Sequence, residues 1–242
     1  MKRFLFIVIC MLIPSVAVYA SPIEYQTANI QLLKGWDYKL GPKNRAIATF
    51  EYFNRWYYGD FFMFTDGTRF DEGGTNIYAE FSPRFSLGKI TGQNLSRGPV
   101  KDLLLATTLE HGKQGRKTYL YGGGIDLNLK GFKAASVNFY RRDNPDISGA
   151  TWQATLVWKR PFQVGALQFV AEGFADIAGS EGRTYKPNQS VVPRLLLDIG
   201  SLAGMQGDRL YGGIEWQYWH NKAGNRGATE SVPQLQLKWV LF

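Results

Sequence analysis

Apolar and polar residues alternate with a period of two in short segments along most of the chain. In residues 76–87, Glu80 and Arg84 share one parity, whereas Phe81 and Phe85 share the other. The same alternation recurs at 44–56, 117–130, 148–160 and 207–221. Strict alternation of this kind predicts a β-strand with one apolar and one polar face.

About twelve such segments follow residue 24, and their lengths exceed those of ordinary strands. They lie near 26–36, 44–56, 57–66, 76–87, 99–111, 117–130, 132–142, 148–160, 163–177, 191–200, 207–221 and 232–242. Soluble strands are typically ~5–6 residues long, whereas a tilted transmembrane strand needs ~9–11 residues. The pattern therefore predicts an all-β, transmembrane antiparallel β-barrel of about 12 strands, which we expect to be monomeric.

The connections between these segments fall into two lengths. Those at 130–131 and 160–161 read as tight turns. Long polar connections are expected at 67–75, 88–98, 143–147, 178–190 and 222–231. Short turns at one end and long loops at the other are typical of outer-membrane barrels.

Composition narrows the class of protein further. The chain has 242 residues with 27 Gly, 16 Phe, 13 Tyr and 7 Trp, which favours turns and strands. Beyond the N-terminus no apolar run approaches the ~18–20 residues of a spanning helix, which excludes a polytopic helical protein. A soluble exported sandwich would also alternate, but its apolar face would hold more Val and Ile and fewer Trp. The formal net charge of +8 allows nucleic acid, acidic headgroups or anionic solutes as partners and does not choose among them.

The first twenty residues have the form of a secretory signal. A basic start at Met1–Arg3 precedes an apolar stretch at Phe4–Ala17, and the segment ends in the small residue Ala20. A retained membrane anchor is the alternative, which Pro14 disfavours because it interrupts the apolar run. Cleavage after Ala20 would remove Cys10, the single cysteine, so no disulfide framework or thiolate metal cluster is expected. The predicted organisation is a signal peptide at 1–20 and an outer-membrane barrel at 21–242.

Two stretches of sequence carry a more specific signal. They are 57–66 (YYGDFFMFTD) and 80–87 (EFSPRFSL), with further matches at 98–99, at 122–126, at Asn138 with Tyr140, and at 218–220. Together they resemble the nucleoside-specific channel family of outer-membrane proteins, Tsx and OmpK. The resemblance implies a monomeric twelve-stranded barrel, passive passage of nucleosides or similar small aromatic solutes, and long loops that serve phages or bacteriocins as receptors. Shorter loops and the final KWVLF depart from the family pattern.

The segment at 57–66 supplies aromatic and acidic side chains on one parity. Asp60, Phe62, Phe64 and Asp66 would point together into the lumen, because the opposite register aims Asp60 at lipid, at a cost of up to a few kcal/mol in mid-membrane. Folding does not explain phenylalanines in a polar lumen, since burial stabilises them on the membrane side. Stacking on a nucleoside base is worth ~1–3 kcal/mol, and weak repeated sites allow conduction. These four residues are therefore predicted to contact solute.

Parity adds other inward-facing candidates on the remaining strands. The predicted solute contacts are Glu51, Arg55, Glu80, Arg84, Asp126, Tyr140, Phe174 and Glu215. Further inward positions are Tyr78, Asn138, Glu172, Asp176, Arg194, Asp198 and Gln217. Most of these charges also suit salt-bridge ladders that hold a narrow barrel in shape, and Arg84 with Glu80 is the pair expected.

Enzymatic interpretations find little support in the residues. His111 and His220 lie on the lipid-facing parity, neither has a nearby following Ser, and no H-x-S-N-G pattern occurs. The acidic residues of the loops match no calcium-loop spacing. No catalytic residue, metal or cofactor is therefore expected.

The predicted function is a passive outer-membrane channel selective for nucleosides or similar small aromatic solutes. The alternative is a surface receptor or adhesin barrel with a closed lumen, used by phages or bacteriocins. Expected partners are the solute and outer-membrane lipid, without nucleic acid polymers, at the outer membrane of a Gram-negative bacterium. The terminal Phe242 resembles the assembly signal of such barrels, but it is out of phase with Leu237, Trp239 and Leu241. The register of the last strand therefore stays open.

Overall fold

In a computed structural model, which describes residues 22–242, twelve antiparallel strands form a closed barrel. Each strand pairs with its neighbour in sequence, and the first pairs with the last. The strands are β1 Ile23–Gly35, β2 Arg45–Trp56, β3 Gly59–Phe70, β4 Thr75–Ser86, β5 Val100–His111, β6 Lys117–Leu127, β7 Ala134–Asp143, β8 Thr151–Val164, β9 Leu167–Ala178, β10 Asn188–Asp198, β11 Leu210–His220 and β12 Glu230–Val240. The prediction of an all-β antiparallel barrel of about 12 strands is confirmed.

Two short helices lie in the connections, α1 at Leu87–Thr91 and α2 at Ile199–Leu202. Within residues 22–242, no helix is long and apolar enough to cross a membrane. The predicted signal peptide at 1–20 lies outside the described residues.

The two faces of the wall carry opposite chemistry. Large apolar side chains point outward and stay exposed, for example Phe81 at 50 % and Trp152 at 54 %. The inward face buries polar side chains almost completely, among them Gln31, Glu230 and Gln234. This inversion of a soluble protein is what a lipid-facing exterior and a polar lumen require. The alternation along each strand is therefore the direct cause of the barrel's two faces.

Several predicted connections were wrong. The loop expected at 67–75 shrinks to 71–74, because β3 and β4 keep their alternation and pairing past Gly67. The turn expected at 160–161 lies inside β8, where Pro161 pairs with Val170, and the real turn is 165–166. The long connection 87–99 lies at the same end as the tight turns 57–58 and 165–166, so long and short connections are not cleanly separated.

The last strand has a defined register. Lys238 pairs with Gln31 of β1, and Trp239 points outward with 56 % exposure. Beyond the strand, the N–H of Leu241 donates to the carbonyl of Ala28 at 2.8 Å, and the Phe242 carbonyl accepts from the Ala28 N–H at 3.3 Å. The C-terminal backbone thus continues the pairing with β1 while the Phe242 side chain stays exposed.

Candidate functional site

The candidate site lies on the inner wall formed by β2, β3 and β4. Phe53 of β2 lies directly opposite Phe62 of β3. Phe64 follows two residues later on β3, and Tyr78 lies close to it on the neighbouring strand β4. Ring centroids are 6.0 Å apart for Phe62 and Phe64, and 5.8 Å apart for Phe64 and Tyr78. We call Phe53, Phe62, Phe64 and Tyr78 the aromatic strip. The rings of Phe62, Phe64 and Tyr78 follow one another along the lumen wall, and Phe53 lies beside Phe62 on the neighbouring strand.

The orientation of β3 follows from its polar residues. Asp60 is only 6 % exposed, and its carboxylate binds a guanidinium inside the barrel. Phe62, Phe64 and Asp66 share its parity and lie on the same inner face, whereas Phe61 packs on the outer face with its ring centroid 4.5 Å from that of Phe81. The wall therefore sets two phenylalanines between two aspartates in the lumen.

Phe53 was missed as a candidate site residue. Its parity is that of Glu51 and Arg55, which the alternation of β2 assigned to the lumen. The signal was present in the sequence, but an apolar residue in a polar row was not singled out.

Arg84 organises one group of charges near the end of the barrel that holds the chain termini. Its Nε and Nη2 donate to the two carboxylate oxygens of Asp60 at 2.8 and 2.6 Å, and its Nη1 donates to Asp126 at 2.9 Å and Asn138 at 3.3 Å. The predicted pairing of Arg84 with Glu80 is wrong. Four residues along one strand separate them by ~13 Å, whereas Asp60 lies directly opposite Arg84 on the neighbouring strand.

Arg194 of β10 organises a second group that crosses the lumen. Its Nε donates to Glu215 at 2.6 Å, and its Nη1 donates to Glu51 of β2 at 2.9 Å. Three strands, β11, β12 and β1, separate β10 from β2 along the wall, so this contact spans the interior. Lys238 of β12 joins the group by donating to Glu172 of β9 at 2.5 Å. Lys238 was missed because the doubtful register of the last strand left its direction open.

Arg142 forms a third, smaller group nearer the opposite mouth. Its Nη1 and Nη2 donate to the two oxygens of Glu110 at 2.5 and 2.7 Å, and Nη1 also donates to Gln153 at 2.8 Å. Neither Arg142 nor Glu110 was predicted, although both share the inward parity of their strands. Each of these three groups joins inward-facing side chains of different strands.

The other predicted residues are distributed around the barrel. Arg55 is exposed on the inner parity of β2 and makes no ion pair within residues 22–242. Tyr140 is 6 % exposed and packs with Ala106 and Leu120, so it belongs to the wall. Phe174 lies on β9, partly exposed and away from the aromatic strip. The structure therefore brings Asp60, Phe62, Phe64, Asp66, Glu51 and Glu80 onto adjoining strands, and places Tyr140, Phe174 and Glu215 elsewhere.

A loop narrows the mouth opposite the chain termini. Tyr38, in the connection between β1 and β2, is 2 % exposed, and its hydroxyl donates to the Gln234 side chain. The Arg45 guanidinium lies 3.6 Å from the centre of the Tyr38 ring, and Lys222 of the β11–β12 loop pairs with Glu230 nearby. Burial raises the pKa of Tyr38. Burial lowers the pKa of Lys222, and the Glu230 carboxylate opposes this lowering because it favours the charged ammonium. The two loops are thus tied to the inner wall.

Comparison with known proteins decides the family. Residues 44–230 match the family described as nucleoside-specific channel-forming protein, Tsx. The chain belongs to this family. It is 27 % identical to outer membrane protein OmpK of Vibrio parahaemolyticus over 156 residues, which cover 57 % of this chain and 58 % of that protein. It is 28 % identical to nucleoside-specific channel-forming protein Tsx of Escherichia coli O157:H7 over 141 residues, which cover 51 % and 47 %.

This Tsx-family chain spans about half the length of the curated relatives it matches. Among solved structures it is similar to the KdgM porin, with a TM-score of 0.53 and 7 % identity over 89 % of this chain and 98 % of that one. That likeness concerns the fold alone. The chain is accordingly an outer-membrane β-barrel of the Gram-negative type, and the resemblance noted in its sequence is confirmed. Because the family is not an enzyme family, the expectation of a protein without enzymatic activity is confirmed as well.

The matched range includes most of what the candidate site contains. The aromatic strip and the Arg84 and Arg142 groups lie within residues 44–230, whereas Lys238 lies outside that range. Within the described residues, no group of three His, Cys, Asp or Glu side chains could hold a metal ion.

Proposed function

We propose that this Tsx-family barrel is a passive outer-membrane channel that binds nucleosides or similar small aromatic solutes along its lumen. The observation that carries the proposal is the aromatic strip on the inner wall. A nucleoside presents a base with two π-faces and a ribose with several hydroxyls. The strip offers ring faces to the base, and the neighbouring carboxylates of Asp66 and Glu80 accept hydrogen bonds from hydroxyls.

The spacing of the strip suits a solute that moves. Successive inward residues of β3 are ~6.7 Å apart, so Phe62 and Phe64 offer two neighbouring stacking positions along the wall. Two stacking contacts are worth ~2–6 kcal/mol in total, and the lower half of that range corresponds to dissociation constants of millimolar or weaker. Sites of that strength bind a solute and still release it, as conduction requires.

The family supports the same proposal. One relative, from Escherichia coli, is named a nucleoside-specific channel-forming protein. The family match, at residues 44–230, includes the residues of the strip. The charged groups around Arg84, Arg142 and Arg194 then serve mainly to hold the shape of a narrow barrel.

The test is nucleoside block of the ion current through the reconstituted barrel. Replacing Phe62 and Phe64 together with Ala should weaken the block by ~1–4 kcal/mol, because one or two stacking contacts are lost. The open-channel conductance should hold or rise, since the change removes bulk without adding charge. Phe81→Ala is the matched control, because Phe81 points outward. Equal effects of the inner and outer substitutions would contradict the proposal.

A receptor or adhesin barrel with a closed lumen is the second candidate, because two observations favour closure. Tyr38 is fixed inside one mouth, and the Arg194 group crosses the interior. This candidate expects no nucleoside-dependent block in the unaltered protein, and it assigns any contact with phages or bacteriocins to the loops at the mouths. Measured ion current that nucleosides reduce would exclude it.

A further inference from the structure

The charges of the lumen are not evenly balanced. Asp60 and Asp126 share Arg84, and Glu110 has Arg142. Arg194 pairs with Glu51 and Glu215, and Lys238 pairs with Glu172. In these groups every carboxylate lies within ion-pair distance of a cation.

Asp66, Glu80 and Asp176 are inward carboxylates whose hydrogen-bond donors within residues 22–242 are all neutral. Asp66 accepts from the Thr49 hydroxyl at 2.6 Å, and Glu80 accepts from the Tyr78 hydroxyl at 2.6 Å. Asp176 of β9 accepts from hydroxyl and amide donors at 2.6 and 3.2 Å. Neutral hydrogen bonds do not cancel the charge of a carboxylate, so each of these side chains is a source of negative potential when it is ionised.

Two of these carboxylates adjoin the aromatic strip. Glu80 lies directly opposite Phe64, and Asp66 lies directly opposite Tyr78, on the shared inner face of β3 and β4. Ring faces attract cations through their quadrupole, and a carboxylate beside the ring adds a direct charge interaction. A solute that stacks on the strip would therefore place its base next to two carboxylates that make no ion pair within residues 22–242.

We infer that the aromatic strip with Asp66 and Glu80 prefers nucleosides whose base carries a positive charge over neutral nucleosides of the same shape. This inference rests on the proposed function. The formal charge of the whole chain, +8, would favour anionic solutes instead. The local arrangement reverses that expectation, because a bound solute interacts with charges a few ångströms away more strongly than with screened charges at the mouths.

The experiment compares two probes of nearly identical shape in a planar bilayer. Oxidised nicotinamide riboside carries a permanent positive charge on its ring, whereas reduced nicotinamide riboside is neutral. At mildly alkaline pH and low salt, the oxidised form should block the ion current at a roughly five- to tenfold lower concentration, about the gain expected from one unit charge near another in a hydrated lumen. Raising the salt concentration should reduce this ratio, because screening weakens charge interactions.

Variants assign the preference to particular side chains. Asp66→Asn and Glu80→Gln should each lower the oxidised-to-reduced ratio, and the two changes together should bring it close to one. Glu72→Gln is the matched control, because Glu72 is exposed in the β3–β4 turn and makes no ion pair among the described residues. If the oxidised-to-reduced ratio is unchanged in the Asp66→Asn variant and also in the Glu80→Gln variant, the inference is overturned. The two single variants provide independent readings if one of them fails to assemble.

The outcomes separate this inference from the proposed function. If uridine blocks the channel while oxidised and reduced nicotinamide riboside block equally, the charge preference is wrong and the nucleoside channel stands. If no nucleoside blocks the current at all, the proposed function fails and the preference fails with it.

Discussion

Replacing Arg194 with Met should destabilise the barrel and open its lumen at the same time. The guanidinium of Arg194 holds Glu215 at 2.6 Å and Glu51 at 2.9 Å from two different directions. Methionine retains much of the side-chain length but supplies neither donor nor charge. Two carboxylates that now share one cation would be left to repel each other.

The magnitude follows from the burial of the three side chains. They are 13 %, 12 % and 9 % exposed for Arg194, Glu51 and Glu215. Removing one partner of a buried pair costs ~3–5 kcal/mol. Lys238 remains 3.7 Å from Glu51, and Gln234 still donates to Glu215 at 2.8 Å, which offsets part of the loss. We therefore expect the free energy of unfolding to fall by ~2–4 kcal/mol.

The assay is urea-induced unfolding in detergent micelles, followed by the change in gel mobility and by single-channel conductance. The conductance of the folded fraction should rise, because the guanidinium contact that ties β10 to β2 across the lumen is lost. Arg226→Met is the matched control, since Arg226 is exposed in a mouth loop. Adding Glu51→Gln and Glu215→Gln to the Met variant should restore most of the lost stability, because the repelling charges are removed. If the free energy of unfolding stays within ~0.5 kcal/mol of that of the unaltered barrel and the conductance is unchanged, Arg194 neither stabilises the barrel nor obstructs its lumen.

Three further outcomes test other parts of the structure. Cysteine introduced at Glu80 should react with water-soluble thiol reagents in membranes, whereas cysteine at Phe81 should not; equal labelling would contradict the assigned faces, and residues 21–242 contain no native cysteine to interfere. Tyr38→Ala should raise conductance by loosening the β1–β2 loop, whereas Tyr57→Ala at the exposed turn of the other end should not; identical conductance in both would show that the loop does not narrow the mouth. The folded barrel should migrate differently on gels before and after boiling, because a closed barrel has no unpaired edge, and a circular dichroism spectrum dominated by helix would contradict the fold.

The strands and their faces could be predicted because they depend on local sequence. Alternation gives the face of each residue within a strand, and a single acidic residue such as Asp60 then chooses which face is the lumen. The prediction that Phe62 and Phe64 point inward rests on this reasoning alone. Phe53 obeys the same rule on the neighbouring strand, so the alternation of β2 predicts its inward direction as well.

The partners of the lumen charges could not be predicted. Arg84 pairs with Asp60 because of the register between β3 and β4, which the four-residue turn at 71–74 joins. Arg194 meets Glu51 only because the sheet closes and brings β10 and β2 to face each other. Closure and strand stagger are properties of the whole barrel, and no local pattern encodes them.

The mouths were also beyond sequence reasoning. Nothing in the sequence distinguishes Tyr38 within a polar connection, yet it is buried against the inner wall, where its hydroxyl donates to Gln234, almost two hundred positions away in sequence. Loop residues find such partners only after the barrel has set the distance between strand ends.

The most direct test of nucleoside binding on the aromatic strip is uridine block of the ion current through the unaltered barrel, compared with the effect of ribose at equal concentration. Ribose carries the hydroxyls without the base, so the difference between the two solutes isolates stacking on the aromatic strip. We expect uridine to reduce the current in a saturable way and ribose to have an effect at least several-fold weaker. Equal effects of both solutes, or none from either, would contradict this expectation.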